Sequence, residues 1–192
     1  MHLLSDGITI TDIEHRCLLH IVPDPEARLL GALTEKTRLR RAALIQKWRP
    51  KLFADPAVTA LPADDHELCD LIMARSDYQT RLEQDAAQDP PIPIYRYNTA
   101  RYEAVDRSGT TVTLFSSGID LGDDDCCCIL AYVQDLDDWI YGALLGHINR
   151  GKKQMIAKYE PIIRADPSVT TMPATEDGLI NMIVARSDYR AA

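Results

Sequence analysis

The residues of this chain that could do chemistry are those that occur twice. Lys47 and Lys158, Asp55 and Asp166, Arg75 and Arg186, Asp77 and Asp188, and Tyr78 and Tyr189 all stand at one offset, 111 positions. The run Arg-Ser-Asp-Tyr, at 75–78 and again at 186–189, sets a guanidinium, a hydroxyl, a carboxylate and a phenol side by side. Such a set could clamp an anion or hold a substrate. Helix chemistry also accounts for it. Asp55 and Asp166 precede prolines and are expected as N-caps with proline at the first helical position. The arginines can pair with Asp77 and Asp188, or with the carbonyl end of the preceding helix. The tyrosines suit a core position with the hydroxyl satisfied. The expected role is structural, and no catalytic residue is assigned.

Other constellations lead to the same place. His15, His20, His66 and His147 align between the copies with Cys126, Ala131, Asp177 and Lys36, so no histidine recurs. Glu14, His15, Cys17 and His20 could be drawn as metal ligands, but no second cluster at zinc spacing completes them, and neither a metal nor a cofactor is expected. Asp120, Asp123, Asp124 and Asp125 lack the alternation and terminal glutamate of a calcium loop and are expected to be a solvated turn. No phosphate-cradling glycine loop, zinc-protease helix or nucleophile elbow appears. The long helices carry basic runs, with Arg38, Arg41 and Lys47 in the first copy and Lys152, Lys153 and Lys158 in the second. These residues are the candidate interaction surface, for a protein or, as the alternative, for nucleic acid. A third alternative is an enzyme whose site lies at the junction of two units and uses Tyr78, Arg75, His147 or Asp188.

The elements that would position these residues are themselves duplicated. Residues 1–81 align with 112–192 without a gap and share 29 identities in 81. The expected fold is α+β and mostly helical: a tandem duplication of a small helical unit with short strands or a hairpin, the units packed as a pseudo-twofold pair. The expected domains are a first unit over 1–81, a helix end and proline-rich linker over 82–93, and a second unit over 94–192. In each unit an apolar run (Cys17–Val22, Cys128–Val133) reads as a buried strand or short helix. A long helix follows, capped by Asp24 in one copy and by Asp135 or Asp137 in the other. It runs toward Trp48 or Tyr159, equivalent core aromatics. Pro50 and Pro161 should kink it or start a new turn, and Gly151 should weaken it by roughly 1 kcal/mol. A second helix, about 65–74, has capping-box spacing at Asp64 and Glu67. A last helix, roughly 77–88, should start from Ser76; its second copy, ending at Ala192, is expected truncated or absent. Residues 94–105 and 110–115 read as a hairpin. Met1 aligns to Val112, so the first copy is expected to lack a front strand. The second unit or another chain could supply it.

Bulk composition narrows the classes. A net charge of -8 disfavours nucleic acid as the main partner. No apolar run approaches a membrane span, and the amino terminus lacks a signal-peptide pattern. Five cysteines, three of them adjacent, argue against a secreted disulfide scaffold and for a reducing cytosol.

One stretch resembles a segment of small uncharacterised proteins from phage and prophage genomes. It comprises Asp137, Asp138, Trp139, Lys152, Lys153, Met155, Lys158, Tyr159, Pro161, Ala165, Asp166, Pro167, Pro173, Ala174 and residues 185–189. The first copy departs where Arg41 and Ala42 replace the lysine pair. The resemblance covers each core of about 50 residues. It implies a phage-associated origin, with a virion or assembly role, and carries no catalytic residues over. The leading expectation is a non-enzymatic structural or protein-interaction module with a protein partner or self-association, in the cytoplasm or a virion.

Overall fold

A computed structural model describes residues 2–94 and 110–191. The chain is mostly helical, with two small antiparallel two-stranded sheets, hence α+β. Strands β1 (His2–Leu3) and β2 (Ile8–Thr11) lead into helices α1 (Asp12–Leu19), α2 (Pro25–Ala54), α3 (Asp65–Met73) and α4 (Arg81–Ala86). Strands β3 (Thr111–Leu114) and β4 (Ile119–Asp120) lead into α5 (Asp123–Leu130), α6 (Leu136–Ala165) and α7 (Glu176–Val184). No helix among the described residues is long and apolar enough to cross a membrane.

The chain divides into two compact units, and neither is a contiguous stretch. Unit 1 takes Met1–Asp6, Leu30–Tyr97 and Ser117–Ile140; unit 2 takes Gly7–Leu29, Asn98–Ser116 and Tyr141–Ala192. The sequence repeat itself runs over 1–81 and 112–192.

Within unit 1, β1 pairs with β4, with Leu3 opposite Ile119. The core joins Leu44, Trp48 and Leu52 of α2 to Leu68, Cys69 and Ile72 of α3, and to Cys128 and Ala131 of and after α5. Leu3 is buried and paired, so it offers no open front edge on that side. Within unit 2, β2 pairs with β3 from Ile8–Leu114 to Thr11–Thr111. The core joins Cys17 of α1 to Met155, Tyr159 and Ile163 of α6 and to Leu179, Ile180 and Ile183 of α7. The front strand of the second copy, β3, thus finds its described partner in β2. The hairpin arm expected over 95–105 lies outside the described residues.

The connections between strands obey backbone sterics. Leu4 and Phe115, equivalent in the alignment, both take positive φ (51° and 52°). Each has its amide held by a carboxylate from a long helix: Asp137 accepts from Leu4 N at 3.2 Å, and Glu26 from Phe115 N at 2.7 Å. Gly7 and Gly118 follow at φ 70°. A Cβ on Gly7 would also stand 2.6 Å from the Leu114 carbonyl oxygen, so the position admits only glycine.

Several sequence expectations change. Of the two readings of the apolar runs the helical one holds: they are the ends of helices α1 and α5. Helices α2 and α6 do not stop at proline; each continues to the alanine before the Ala-Asp-Pro aspartate. Pro50 and Pro161 are exposed, so the carbonyl that each leaves without an intrahelical donor can turn to solvent. Asp55 and Asp166 do not cap new helices. Each folds a tight side-chain turn, accepting from Ala57 N at 2.9 Å and Ser168 N at 3.0 Å. The last helix starts at Thr80 rather than Ser76, because Thr80 and Glu83 close a reciprocal capping box and Asp77 is drawn to Arg75. Asp123, Asp124 and Asp125 are not a solvated turn. They form the first turn of α5, where negative charge faces the helix N-terminus.

Candidate functional site

The recurring residues meet in space, once in each unit. In unit 1 the turn after α2 presents Asp55 and the turn after α3 presents Arg75. The guanidinium donates to Asp55 through Nη1 at 2.6 Å and to Asp77 through Nε at 2.9 Å. In unit 2 Arg186 donates to Asp166 at 3.1 Å and to Asp188 at 2.8 Å. Each arginine therefore ties two loops that lie 20 residues apart in sequence. The sequence suggests the Asp77 and Asp188 pairings but not the longer ones, because Asp55 and Asp166 look like caps.

These clamps set the local acid chemistry. The Arg75 guanidinium holds Asp55 and Asp77 below the usual carboxylate value. Asp166 is lowered by Ser168 and then Arg186, and Asp188 by Arg186. A depressed folded-state pKa contributes stability above the unfolded value, lost as pH falls through the folded one. The clamps should thus steepen the loss of stability from about pH 4 downward. In thermal melts across that range, a variant carrying Arg75→Met and Arg186→Met should show a shallower acid limb than the wild type. The change should be small, since all four carboxylates are solvent-accessible and screened. Superimposable limbs would show that the clamps add no pH-linked stability.

Beside the unit 1 clamp lies a cavity of about 210 Å³. Its walls include Lys47, Trp48, Asp77, Tyr78, Ala131 and Tyr132. The ring centroids of Trp48 and Tyr78 are 6.1 Å apart. Lys51 Nζ stands 4.1 Å from the Trp48 centroid, a cation–π contact that also brings its charge within 3.6 Å of Asp77. The Tyr78 hydroxyl donates to the Cys127 carbonyl at 3.2 Å, and burial pushes its pKa up to about 12. It therefore remains a phenol and serves as a donor, not a base.

In unit 2 the same positions hold Tyr159 and Tyr189, with centroids 5.8 Å apart. His20 occupies the place that Ala131 takes in unit 1. Its ring stands 6.0 Å from each tyrosine, stacked on Tyr189 at 26° and edge-on to Tyr159 at 61°. Burial and the nearby Lys158 lower its pKa, so the neutral ring is favoured. The Tyr159 hydroxyl accepts from Arg190 N at 3.3 Å.

The other expected site residues are dispersed. Arg41 is largely buried and ion-paired with Asp124 and Asp125, while His66, raised in pKa by the same Asp124, flanks them. Arg38 pairs with Glu35 on the same helix, and Lys152 with Asp177 at 2.8 Å. Lys153 is exposed, and Lys158 lies 5.0 Å over the Tyr159 ring. Half of the expected basic surface is therefore already neutralised by carboxylates. Arg75 and Tyr78 belong to unit 1, whereas His147 and Asp188 belong to unit 2. The residues drawn together as metal ligands have other uses: Cys17 is core, Glu14 closes the Thr11 cap, and His20 stacks on tyrosine.

Sequence reasoning misses three features. Cys69 and Cys128 bring their Sγ atoms to 3.4 Å inside unit 1, with Cys69 raised in pKa by that contact and by burial. Phe53, next to the buried Leu52, is 73 % exposed, over an apolar groove with Ala42, Ile45 and Pro50. The cavity at Ala131 is the third. The alignment of Ala131 with His20 is its only trace in the sequence. Comparison with protein-family models, with curated proteins and with solved structures finds no match.

Proposed function

We propose that this chain is a non-enzymatic protein-interaction module built on a duplicated scaffold. The groove around Phe53 is its contact face. The observation that carries the reading is Phe53 itself. Phe53 stands 73 % exposed while the next-door Leu52 is fully buried, and with Ala42, Ile45 and Pro50 it makes a contiguous apolar groove of the kind that marks a contact surface. The equivalent residue in the second copy is Arg164, which pairs with Glu160 at 2.6 Å, so the same face is apolar in one copy and charged in the other.

The occupant we propose is a second copy of the chain. Arg49 and Asp65 line the groove with opposite charge around its apolar floor. An isologous contact would set each against its opposite across the interface. A phage or prophage assembly component, acting in the cytoplasm or a virion, is the setting that the resemblance of the Lys-Lys to Arg-Ser-Asp-Tyr stretch suggests. Nucleic acid is the less favoured partner, because Arg38, Arg41 and Lys152 are spent on carboxylates.

The test is solution mass by light scattering, at low and high salt. The wild type should exceed 21.5 kDa and stay assembled in high salt, while Phe53→Arg, with an unchanged circular dichroism spectrum, should run at 21.5 kDa. A wild type that is monomeric at its highest soluble concentration, or an assembly indifferent to Phe53→Arg, overturns the proposed face.

A further inference from the structure

We infer that the unit 1 cavity is a binding site for a neutral nitrogen heteroaromatic ring of the imidazole class, seated between Trp48 and Tyr78 above Ala131. The chain supplies its own template. In unit 2, Tyr159, Tyr189 and His20 form a near-equilateral triangle of rings, with centroid separations of 5.8, 6.0 and 6.0 Å. These are favourable separations, one pair stacked and one edge-on. In unit 1 two corners of the triangle remain, Trp48 and Tyr78, at 6.1 Å. The third corner holds only the Ala131 methyl.

Truncating a half-buried ring such as His20 to a methyl invites the neighbours to close in as far as their packing allows. Here the two aromatic rings keep their spacing, and a cavity of about 210 Å³ remains beside them. That is below the range of drug-sized pockets and suits a single small ring or one side chain.

The lining selects the ligand further. Trp48 offers an edge-on partner and Tyr78 a stacking face, the roles that Tyr159 and Tyr189 play for His20. Lys47 occupies the position of Lys158, whose charge lowers the His20 pKa, and Lys51 adds a second positive charge. The pair disfavours an imidazolium and admits the neutral ring. The Asp77 carboxylate on the wall is an acceptor within the same cavity, suited to a ring N–H.

The ring could come as a free heterocycle or as the histidine side chain of a peptide, and two probes separate these sources. Imidazole and N-acetyl-histidine methylamide are titrated into the whole chain, at a pH above the pKa of each probe. Tryptophan fluorescence and amide NMR shifts are followed, and both tryptophans, Trp48 and Trp139, belong to unit 1. At least one probe should give a saturable response centred on Trp48 and Tyr78. Tighter binding of the blocked histidine identifies a peptide source, and equal or weaker binding a free heterocycle.

Ala131→His should fill the site from within, raise the melting temperature and abolish the probe response. Should that variant fail to fold, His20→Ala provides the converse. It should lower the melting temperature, recover part of the loss with imidazole, and add a second set of shifting amides around Tyr159 and Tyr189. If neither probe gives a saturable response in the wild type, the inference is overturned. The same holds if the response survives unchanged in a folded Ala131→His variant.

Discussion

Gly151→Ala should destabilise the chain by about 3 kcal/mol, the upper end of what overpacking costs. Propensity alone predicts the opposite sign, because replacing a mid-helix glycine by alanine normally gains roughly 1 kcal/mol. The reversal comes from the approach of α1 to α6 within unit 2. A Cβ on Gly151 would lie 2.0 Å from the Cys17 carbonyl oxygen and 2.7 Å from its carbon. Both are backbone atoms, so no side chain can swing aside. The equivalent residue in the other copy is Arg40, whose guanidinium lies 4.6 Å over the Tyr132 ring, a contact that glycine could not make. Gly146→Ala is the control. It sits on the same helix with open space around it, and should be neutral or stabilising. Urea denaturation followed by circular dichroism measures both. A Gly151→Ala variant as stable as Gly146→Ala would show that α1 does not sit against α6 in this way.

Leu52→Ala should cost about 3 kcal/mol, within the usual range for a buried leucine truncated to alanine. Leu52 lies two residues beyond Pro50, where the sequence alone expects a kink or a new turn. The helix instead runs on to Ala54, and Leu52 reaches the unit 1 core fully buried, as Ile163 does in unit 2. Phe53→Ala, one residue further on, should change stability by no more than about 0.5 kcal/mol, because it removes an exposed ring. Tryptophan fluorescence is the suitable probe, since Trp48 packs in the same cluster. Equal effects at the two positions would mean that the helix ends or turns at Pro50. Phe53 would then be no more exposed than its neighbour, and the proposed contact face would fall with it.

Much of the fold is legible in the sequence because it depends on local rules. Asp24 and Asp135 cap the long helices by accepting from Ala27 N and Asp138 N, both at 3.0 Å. Leu68 and Ile72, like Leu179 and Ile183, fall at helical spacing and are buried. Trp48 and Tyr159 are core aromatics, as their shared position implies. Local pattern is silent where a residue also answers to a distant part of the chain. Asp55 has the signature of a cap, and its nearest amide does bind it, but its second oxygen goes to Arg75, 20 residues away. Pro50 has the signature of a helix stop, yet it stands exposed in a helix that continues to Ala54 and carries Leu52 into the core.

The residue pattern marks a self-similarity of 29 identities in 81 at one offset, the identity and order of most helices, their caps, and the residues that form each core face. The helices, caps and core faces follow from interactions within a few positions of the chain. Which copy's helix completes which core is set by long-range packing: Cys128 and Ala131 pack with Leu68 and Ile72, and Cys17 with Ile180 and Ile183. The two copies present nearly the same apolar face, so local pattern cannot choose between partners from the same copy and from the other. That choice, in turn, sets Ala131 beside Trp48 and His20 beside Tyr159, and so leaves a cavity in one unit and a filled ring triangle in the other. A cavity is defined by what long-range packing brings near, and one methyl in place of an imidazole carries no signal until its neighbours are known.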